Sequence, residues 1–342
     1  MMTREQIVTR FEANKFAHQI GLTAEGVNKC LDRWEQPHRH YHSLSHLSDL
    51  LEQIDKYGGQ YSSYKIEVAA LFHDVIYDPK GNSNEELSIQ FYRDICPSWS
   101  EEIVDIIRYT KYDNYEAFKS APDFIQLFCH LDIRHLQSGN PTEIMQNELA
   151  LLKEFQFVDY PTYRSKRLEF LENFHYIHPS FKQHTIEFVT NYRPKVGVYA
   201  GSFNPFHIGH MNVLEQAEKI FDKVIVAIGY NPQKSQEKFC WHPYEVLPYH
   251  ETYRYGSLLP DYLKTLDYAD VTLIRGLRNG YDLQYEMNQL RFLEDYECKV
   301  PVAYFVCNKE FAHISSSDLR GLSKFDNGDI NRYKPNKYSY VP

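Results

Sequence analysis

The segment GSFNPFHIGH (201–210) places His207 and His210 three residues apart, with Gly209 between them. It follows a short apolar run and precedes an amphipathic one, so it reads as a strand-to-helix loop, the place where open α/β sheets bind ligands. The first turn of such a helix has unpaired N–H groups and the positive end of the helix dipole, both favourable to phosphate. Two imidazoles there can address one anion. Taken alone, the pair reads equally well as a structural histidine pair in a turn.

A second set of titratable residues lies in the N-terminal part: RHYHSLSHLSDLL (39–51), AALFHDVIYDP (69–79) and LFCHLDIRHL (127–136). His42 and His46 are four apart, a spacing that predicts one shared helix face. His73 and Asp74 interrupt an apolar helical run. A buried His–Asp pair is costly unless something compensates it, and a divalent cation would do so. A hydrogen bond between the two inside a helical core is the plainer reading of that dipeptide.

The elements that must carry these residues divide the chain. Its 342 residues are enough for two domains. Up to about Tyr192 the spacing of apolar residues is helical, as in HLSDLLEQIDKY, EIVDIIRYTKY, EIMQNELALLKEF and YRSKRLEFLENFHYI. Breaks fall at Gly58-Gly59, at Pro79 to Asn82 and around Gly139 to Pro141. After Arg193-Pro194-Lys195 the texture changes to strand, loop, helix, strand: VGVYA (196–200), the histidine loop, MNVLEQAEKIF and KVIVAIGY. This is a βαβ unit and predicts a parallel sheet. VTLI (271–274) and VAYFV (302–306) continue it, separated by the helical stretch YDLQYEMNQLRFLEDY. The expected architecture is an all-α domain over 1–192, followed by an α/β Rossmann-like domain over 193–342.

Charge and composition narrow the partners. A net charge of −9 argues against a non-specific grip on nucleic-acid backbones. The charged N-terminus lacks the apolar core of a signal peptide, and no apolar run is long enough for a membrane span. Cys30, Cys96, Cys129, Cys240, Cys298 and Cys307 contain no CxxC pair and read as reduced, buried thiols. A cytoplasmic protein is expected.

Four motifs in order give the C-terminal region a family likeness. The stretch YAGSFNPFHIGHMNVLEQAEKIFDKVIVAIGYNPQKS, Lys234 after Asn231-Pro232, RGLRNGYDLQYEMNQL (275–290) and FAHISSSDLRGL (311–322) resemble phosphopantetheine adenylyltransferases over about residues 195–335. The resemblance implies transfer of AMP from ATP, accompanied by Mg²⁺, to 4′-phosphopantetheine, giving dephospho-CoA and pyrophosphate. It assigns His210, beside Ser202, to the α-phosphate, and Lys234 and Arg275 to the incoming phosphate. Arg278 and Ser315, Ser316 and Ser317 go to the β- and γ-phosphates. Gly201, Phe203, His207, Asp282 and Glu286 complete the binding set. Adenylyl transfer asks a protein to position two polyanions and stabilise transition-state charge, which suits this basic, N–H-rich inventory. Asn204 replaces the family's usual aspartate, and 235–274 lacks the charged central helix that helps receive the pantetheine arm. Nicotinate mononucleotide is therefore the rival acceptor, and homo-oligomerisation stays open.

The N-terminal region resembles the HD superfamily of metal-dependent phosphohydrolases through RxYHxxxH, FHDxxYDP, NEELS (84–88), the segment around Asp132 and YRSKRLEFLENF. That resemblance makes His46, His73, Asp74 and Asp132 ligands of a divalent cation such as Mn²⁺, Mg²⁺ or Fe²⁺, and His42 a general acid toward an unidentified phosphoester. Tyr112 stands where the subgroup tends to have histidine. A metal-bound regulatory or binding module is the non-enzymatic alternative.

Overall fold

The run VGVYA lies within β1 (Lys195–Gly201), and KVIVAIG forms β2 (Lys223–Gly229), in a computed structural model that describes residues 1–58, 63–229, 241–325 and 328–338. With β3 (Thr252–Tyr255), β4 (Asp270–Leu277) and β5 (Val302–Val306) they make a five-stranded parallel sheet in the order β3-β2-β1-β4-β5. β1 and β2 are apolar at successive positions because both faces of a parallel sheet are covered. On one face Tyr199, Val224 and Val226 pack with Met211, Leu214 and Ala217 of the helix Ile208–Ala217. On the other, Val196, Val198 and Ile225 pack with Leu263, Leu266 and Leu293.

The strand TYRY of β3 is absent from the sequence reading. It is four residues long, pairs among the described residues with β2 alone, and leaves Tyr253 exposed, so neither apolar continuity nor alternation marks it. Its side chains are held by aromatic stacking, with the Tyr253 ring 4.4 Å from that of Tyr262 and nearly parallel to it.

The chain divides into two compact units, Met1–Glu154 with Lys166–Thr190, and Phe155–Ser165 with Asn191–Pro342. The segment Phe155–Ser165 is tied into the second unit by Lys223, whose buried Nζ donates to the carbonyls of Gln156 and Val158 and pairs with Glu251 at 2.9 Å. The first unit is helical among its described residues, around one core that includes Trp34, Leu47, Leu51, Phe72, Tyr92 and Phe128. Among the described residues no helix is long and apolar enough to cross a membrane, and Cys30, Cys96, Cys129, Cys298 and Cys307 are buried and free; Cys240 lies outside the described residues.

Gly197 of β1 faces the same side of the sheet as Tyr199, where packing is close: a Cβ there would come within 2.5 Å of Ile274 Cδ1 and 2.8 Å of Phe221 Cδ2. Gly197→Ala is expected to cost roughly 1–3 kcal/mol through overpacking. Urea unfolding followed by circular dichroism measures this, and an unchanged midpoint would show that the layers yield without cost.

Candidate functional site

Strand order reverses beside β1, where β2 lies on one side and β4 on the other, so the chain leaves the sheet in opposite directions and opens a crevice at the carboxyl ends. The loop after β1 turns into this crevice. Phe203 takes a positive φ of 43°, and its ring covers Gly201 so closely that a Cβ there would stand 2.9 Å from Phe203 Cζ. Glycine is thus required at 201 by close approach. Arg320, which the sequence reading did not single out, donates to the Asn204 carbonyl, and Ser316 Oγ donates to the Pro205 carbonyl at 2.9 Å. These bonds hold the loop from the far helix.

The two histidines begin the helix Ile208–Ala217. His207 is its N-cap, and its Nδ1 accepts from the Gly209 N–H at 3.2 Å. His210 Nδ1 in turn accepts from the His207 N–H at 3.3 Å. Both rings therefore use Nδ1 as acceptor, and their neutral forms carry the proton on Nε2. The rings stack at 3.7 Å between centroids. Burial, and after it the charge of Arg278, lowers the His207 pKa to about 4. The stack thus holds a neutral imidazole beside His210, with helix N–H groups at its base.

Both arginines of RGLR face carboxylates on the helix Gly280–Asp295. Arg275 Nε lies 3.0 Å from Glu286 Oε2, and its Nη1 donates to the Ala200 carbonyl of β1. Arg278 engages Asp282 through Nε and Nη2, each at 2.9 Å, leaving Nη1 for a further acceptor. Burial raises the Glu286 pKa even with Arg275 beside it, whereas the hydrogen bond from Arg278 lowers that of Asp282. Ser315 is the N-cap of the short helix Ser316–Leu322, and Ser317 Oγ accepts from Arg320.

The structure brings Gly201, Ser202, Phe203, His207, His210, Arg275, Arg278, Asp282, Glu286, Ser315, Ser316 and Ser317 to one cavity of about 330 Å³. Lys234 lies outside the described residues. The hydroxyl of Ser316 is occupied by the Pro205 carbonyl, so that residue shapes the loop.

In the first unit, His46 lies in the first turn of the helix Leu44–Tyr57, His73 and Asp74 follow the end of Ser63–Phe72, and Asp132 closes Asp123–Asp132. One ligand atom from each lies within 4.8 Å of the others. His46 Nε2 is 3.0 Å from Asp132 Oδ1; His73 Nε2 is 3.0 Å from Asp74 Oδ2 and 3.3 Å from Asp132 Oδ1. His73 Nδ1 bonds the Ala70 carbonyl, yet its buried Nε2 makes no hydrogen bond of acceptable geometry. With Nδ1 held by a carbonyl, Nε2 is the ring atom turned toward the carboxylates, the arrangement of a metal-ligating histidine. Burial alone would lower the His73 pKa; the charges of Asp74 and Asp132 reverse this and hold it well above the ordinary histidine value. Tyr112, at a positive φ of 52°, donates to the other oxygen, Asp132 Oδ2, at 2.6 Å.

His42 does not share the helix of His46. Ser43 is the N-cap, with extended backbone, so His42 belongs to the preceding loop. The backbone of that loop is held by Glu154, which the sequence reading missed. Its carboxylate also bonds His42 Nδ1 at 2.7 Å. Burial lowers and the Glu154 charge more than restores the His42 pKa, which ends above the ordinary value; Glu154 itself, despite burial, is held down to about 2 by His42.

A family profile described as Cytidylyltransferase-like matches residues 198–322. A phosphopantetheine adenylyltransferase of Alkaliphilus metalliredigens is 31% identical over 149 residues, covering 41% of this chain and 92% of the relative. One from Streptococcus pneumoniae is 34% identical over 154 residues, covering 41% and 90%. Among solved structures, a Vibrio parahaemolyticus protein provisionally assigned as a nicotinate-nucleotide adenylyltransferase matches at 19% identity over 41% of this chain and 92% of that one, with a TM-score of 0.29.

The depressed pKa of His207 has a consequence for stability. With a folded value of about 4, below the ordinary 6.5, the folded state resists protonation of this ring, so its contribution is present above about pH 6.5 and is lost as pH falls toward 4. The loss amounts to roughly 3 kcal/mol at most. His207→Asn retains a capping side chain and should flatten the acid limb of unfolding free energy against pH; identical limbs in both proteins would show that His207 titrates normally.

Proposed function

The chain belongs, through its C-terminal region, to the phosphopantetheine adenylyltransferase family, and on that premise we propose that it transfers AMP from MgATP to 4′-phosphopantetheine. A phosphate oxygen of the acceptor attacks the α-phosphorus, the bond to the β-phosphate oxygen breaks, and pyrophosphate leaves. The observation that carries this reading is the stacked His207–His210 pair at a helix start, with both Nδ1 atoms occupied as acceptors. His210 then presents Nε2–H to the α-phosphate, with Ser202 alongside, and donates more strongly as charge grows in the transition state. Arg275, at the end of β4, and Lys234 receive the acceptor phosphate and offset repulsion between the two anions. Arg278 and the Ser315–Ser317 helix start receive the β- and γ-phosphates. Asp282 and Glu286 hold the arginines in place before substrate arrives.

For the first unit the reading is an HD-type phosphohydrolase, supported by the converging atoms of His46, His73, Asp74 and Asp132 and the orphaned His73 Nε2. These four residues would hold a divalent cation, which when bound supplies Lewis acidity toward a phosphoester. His42 is the acid for the leaving oxygen.

His210→Ala is expected to lower turnover with ATP and 4′-phosphopantetheine by roughly two to three orders of magnitude. Coupled pyrophosphate release measures it, and mass spectrometry should identify dephospho-CoA. Wild-type turnover in the variant would remove His210 from the mechanism, and preference for nicotinate mononucleotide would change the acceptor. Asp74→Ala should abolish Mn²⁺ binding to the first unit in titration calorimetry while adenylyl transfer persists. Retained Mn²⁺ binding with unchanged stoichiometry would sink the ligand assignment.

A further inference from the structure

Glu154 is the last residue of the helix Pro141–Glu154 and is fully buried. A carboxylate at the C-terminal end of a helix meets the negative end of the dipole, and burial adds a desolvation cost. Five hydrogen bonds compensate it. Oε1 accepts from the backbone N–H groups of His40, Tyr41 and His42, each at 2.8 Å. Oε2 accepts from Tyr77 Oη at 2.8 Å and is 2.7 Å from His42 Nδ1. Anchoring the loop needs only Oε1. The second oxygen is spent on the imidazole, and on the tyrosine that packs against it: the rings of His42 and Tyr77 stack at 4.2 Å, while Tyr41 meets His42 edge-on at 4.9 Å.

We propose that Glu154 is the positioning residue for His42, fixing its ring so that the proton on Nδ1 stays with Glu154 and Nε2 is the nitrogen that meets the leaving group. The proposal rests on the phosphohydrolase reading given above. His42 keeps 22% of its side-chain surface exposed although the partner of Nδ1 has none, so the outward part of the ring is the side bearing Nε2. In the reaction, the oxygen of a water forms a bond to phosphorus as the bond to the ester oxygen breaks. The electron pair of the broken bond stays on that oxygen, which takes the proton from His42 Nε2. The proton shed by the water passes to solvent, from which Nε2 is reprotonated. A carboxylate behind the imidazole stabilises the charged ring and forbids the tautomer with its proton on Nε2 alone, the division of labour of an acid–histidine pair. Tyr77 limits rotation of the carboxylate by holding the same oxygen.

Glu154→Gln in the full chain is the test, with three readings. Long-range ¹H–¹⁵N spectra of the imidazole, assigned by the signals missing from His42→Ala and recorded with Mg²⁺, should show His42 protonated at Nδ1 in the wild type and a mixture of tautomers in the variant. Mn²⁺ affinity by calorimetry should stay within about threefold, because none of the four ligands changes. Hydrolysis of an alkyl phosphate should slow at least tenfold more than that of p-nitrophenyl phosphate, whose leaving group needs little protonation, with KM little changed. A wild-type His42 carrying its proton on Nε2 alone would overturn the proposal without any variant, so the test stands even if Glu154→Gln fails to fold. Equal slowing of both esters would also overturn it. A wild type that hydrolyses no phosphoester, with His42 nonetheless held at Nδ1, would overturn the phosphohydrolase reading and uphold the positional role of Glu154.

Discussion

Where β1 and β4 lie side by side, the chain leaves the sheet toward opposite edges, and a crevice is left at their carboxyl ends. Here a tight loop and the first turn of a helix line it, with Arg275 reaching from β4 to the Ala200 carbonyl of β1. The helix Ile208–Ala217 turns the positive end of its dipole toward that space. Everything around it either adds donors, as His210 does, or keeps the donors aimed. The pairs Arg275–Glu286 and Arg278–Asp282 belong to the second kind: each guanidinium is held by a carboxylate on the next helix. In the proposed transfer, preorganisation of this type removes reorganisation cost from the transition state.

The first unit solves the opposite electrostatic problem. Asp74 and Asp132 are mostly withdrawn from water, and two such charges close together are tolerable only with compensating positive charge. His73, which despite burial the two carboxylates hold well above the ordinary histidine pKa, supplies part of it, and His46 Nε2 bonds Asp132 Oδ1 at 3.0 Å. Tyr112 occupies the outer oxygen of Asp132, so one oxygen of that residue stays turned toward His46 and His73. Glu154 does the same service for the loop carrying His42. In both cases a hydroxyl or carboxylate from a distant segment fixes the orientation of the side chain it bonds.

Much of the second unit is legible in the sequence because its signals are local. VGVYA and KVIVAIG are apolar at consecutive positions, as doubly covered parallel strands must be, and the histidine loop lies between them and their helix. The edge strand TYRY carries no such signal, since half of it faces out and its contacts, β2 on one side and the Tyr262 ring on the other, are tertiary. The spacing of His42 and His46 misleads for a definite reason: Ser43 starts the helix, and a four-residue interval says nothing about a residue before the cap. Glu154 is 112 residues from His42, within a helix whose other acidic residues give it no distinction, and only the fold brings the two together. Arg320 lies inside a quoted motif, yet its grip on the Asn204 carbonyl depends on a tertiary contact across 116 residues.

In the proposed reaction, the start of the helix Ile208–Ala217 is the seat of the reacting phosphate. A crystal structure with α,β-methylene-ATP and Mg²⁺ tests it most directly. The expected result places an α-phosphate oxygen within hydrogen-bond distance of His210 Nε2, the β- and γ-phosphates near Arg278 and Ser315–Ser317, and room for an acceptor phosphate beside Arg275. A triphosphate bound elsewhere, or one that turns its γ-phosphate rather than its α-phosphate toward His210, would contradict the account.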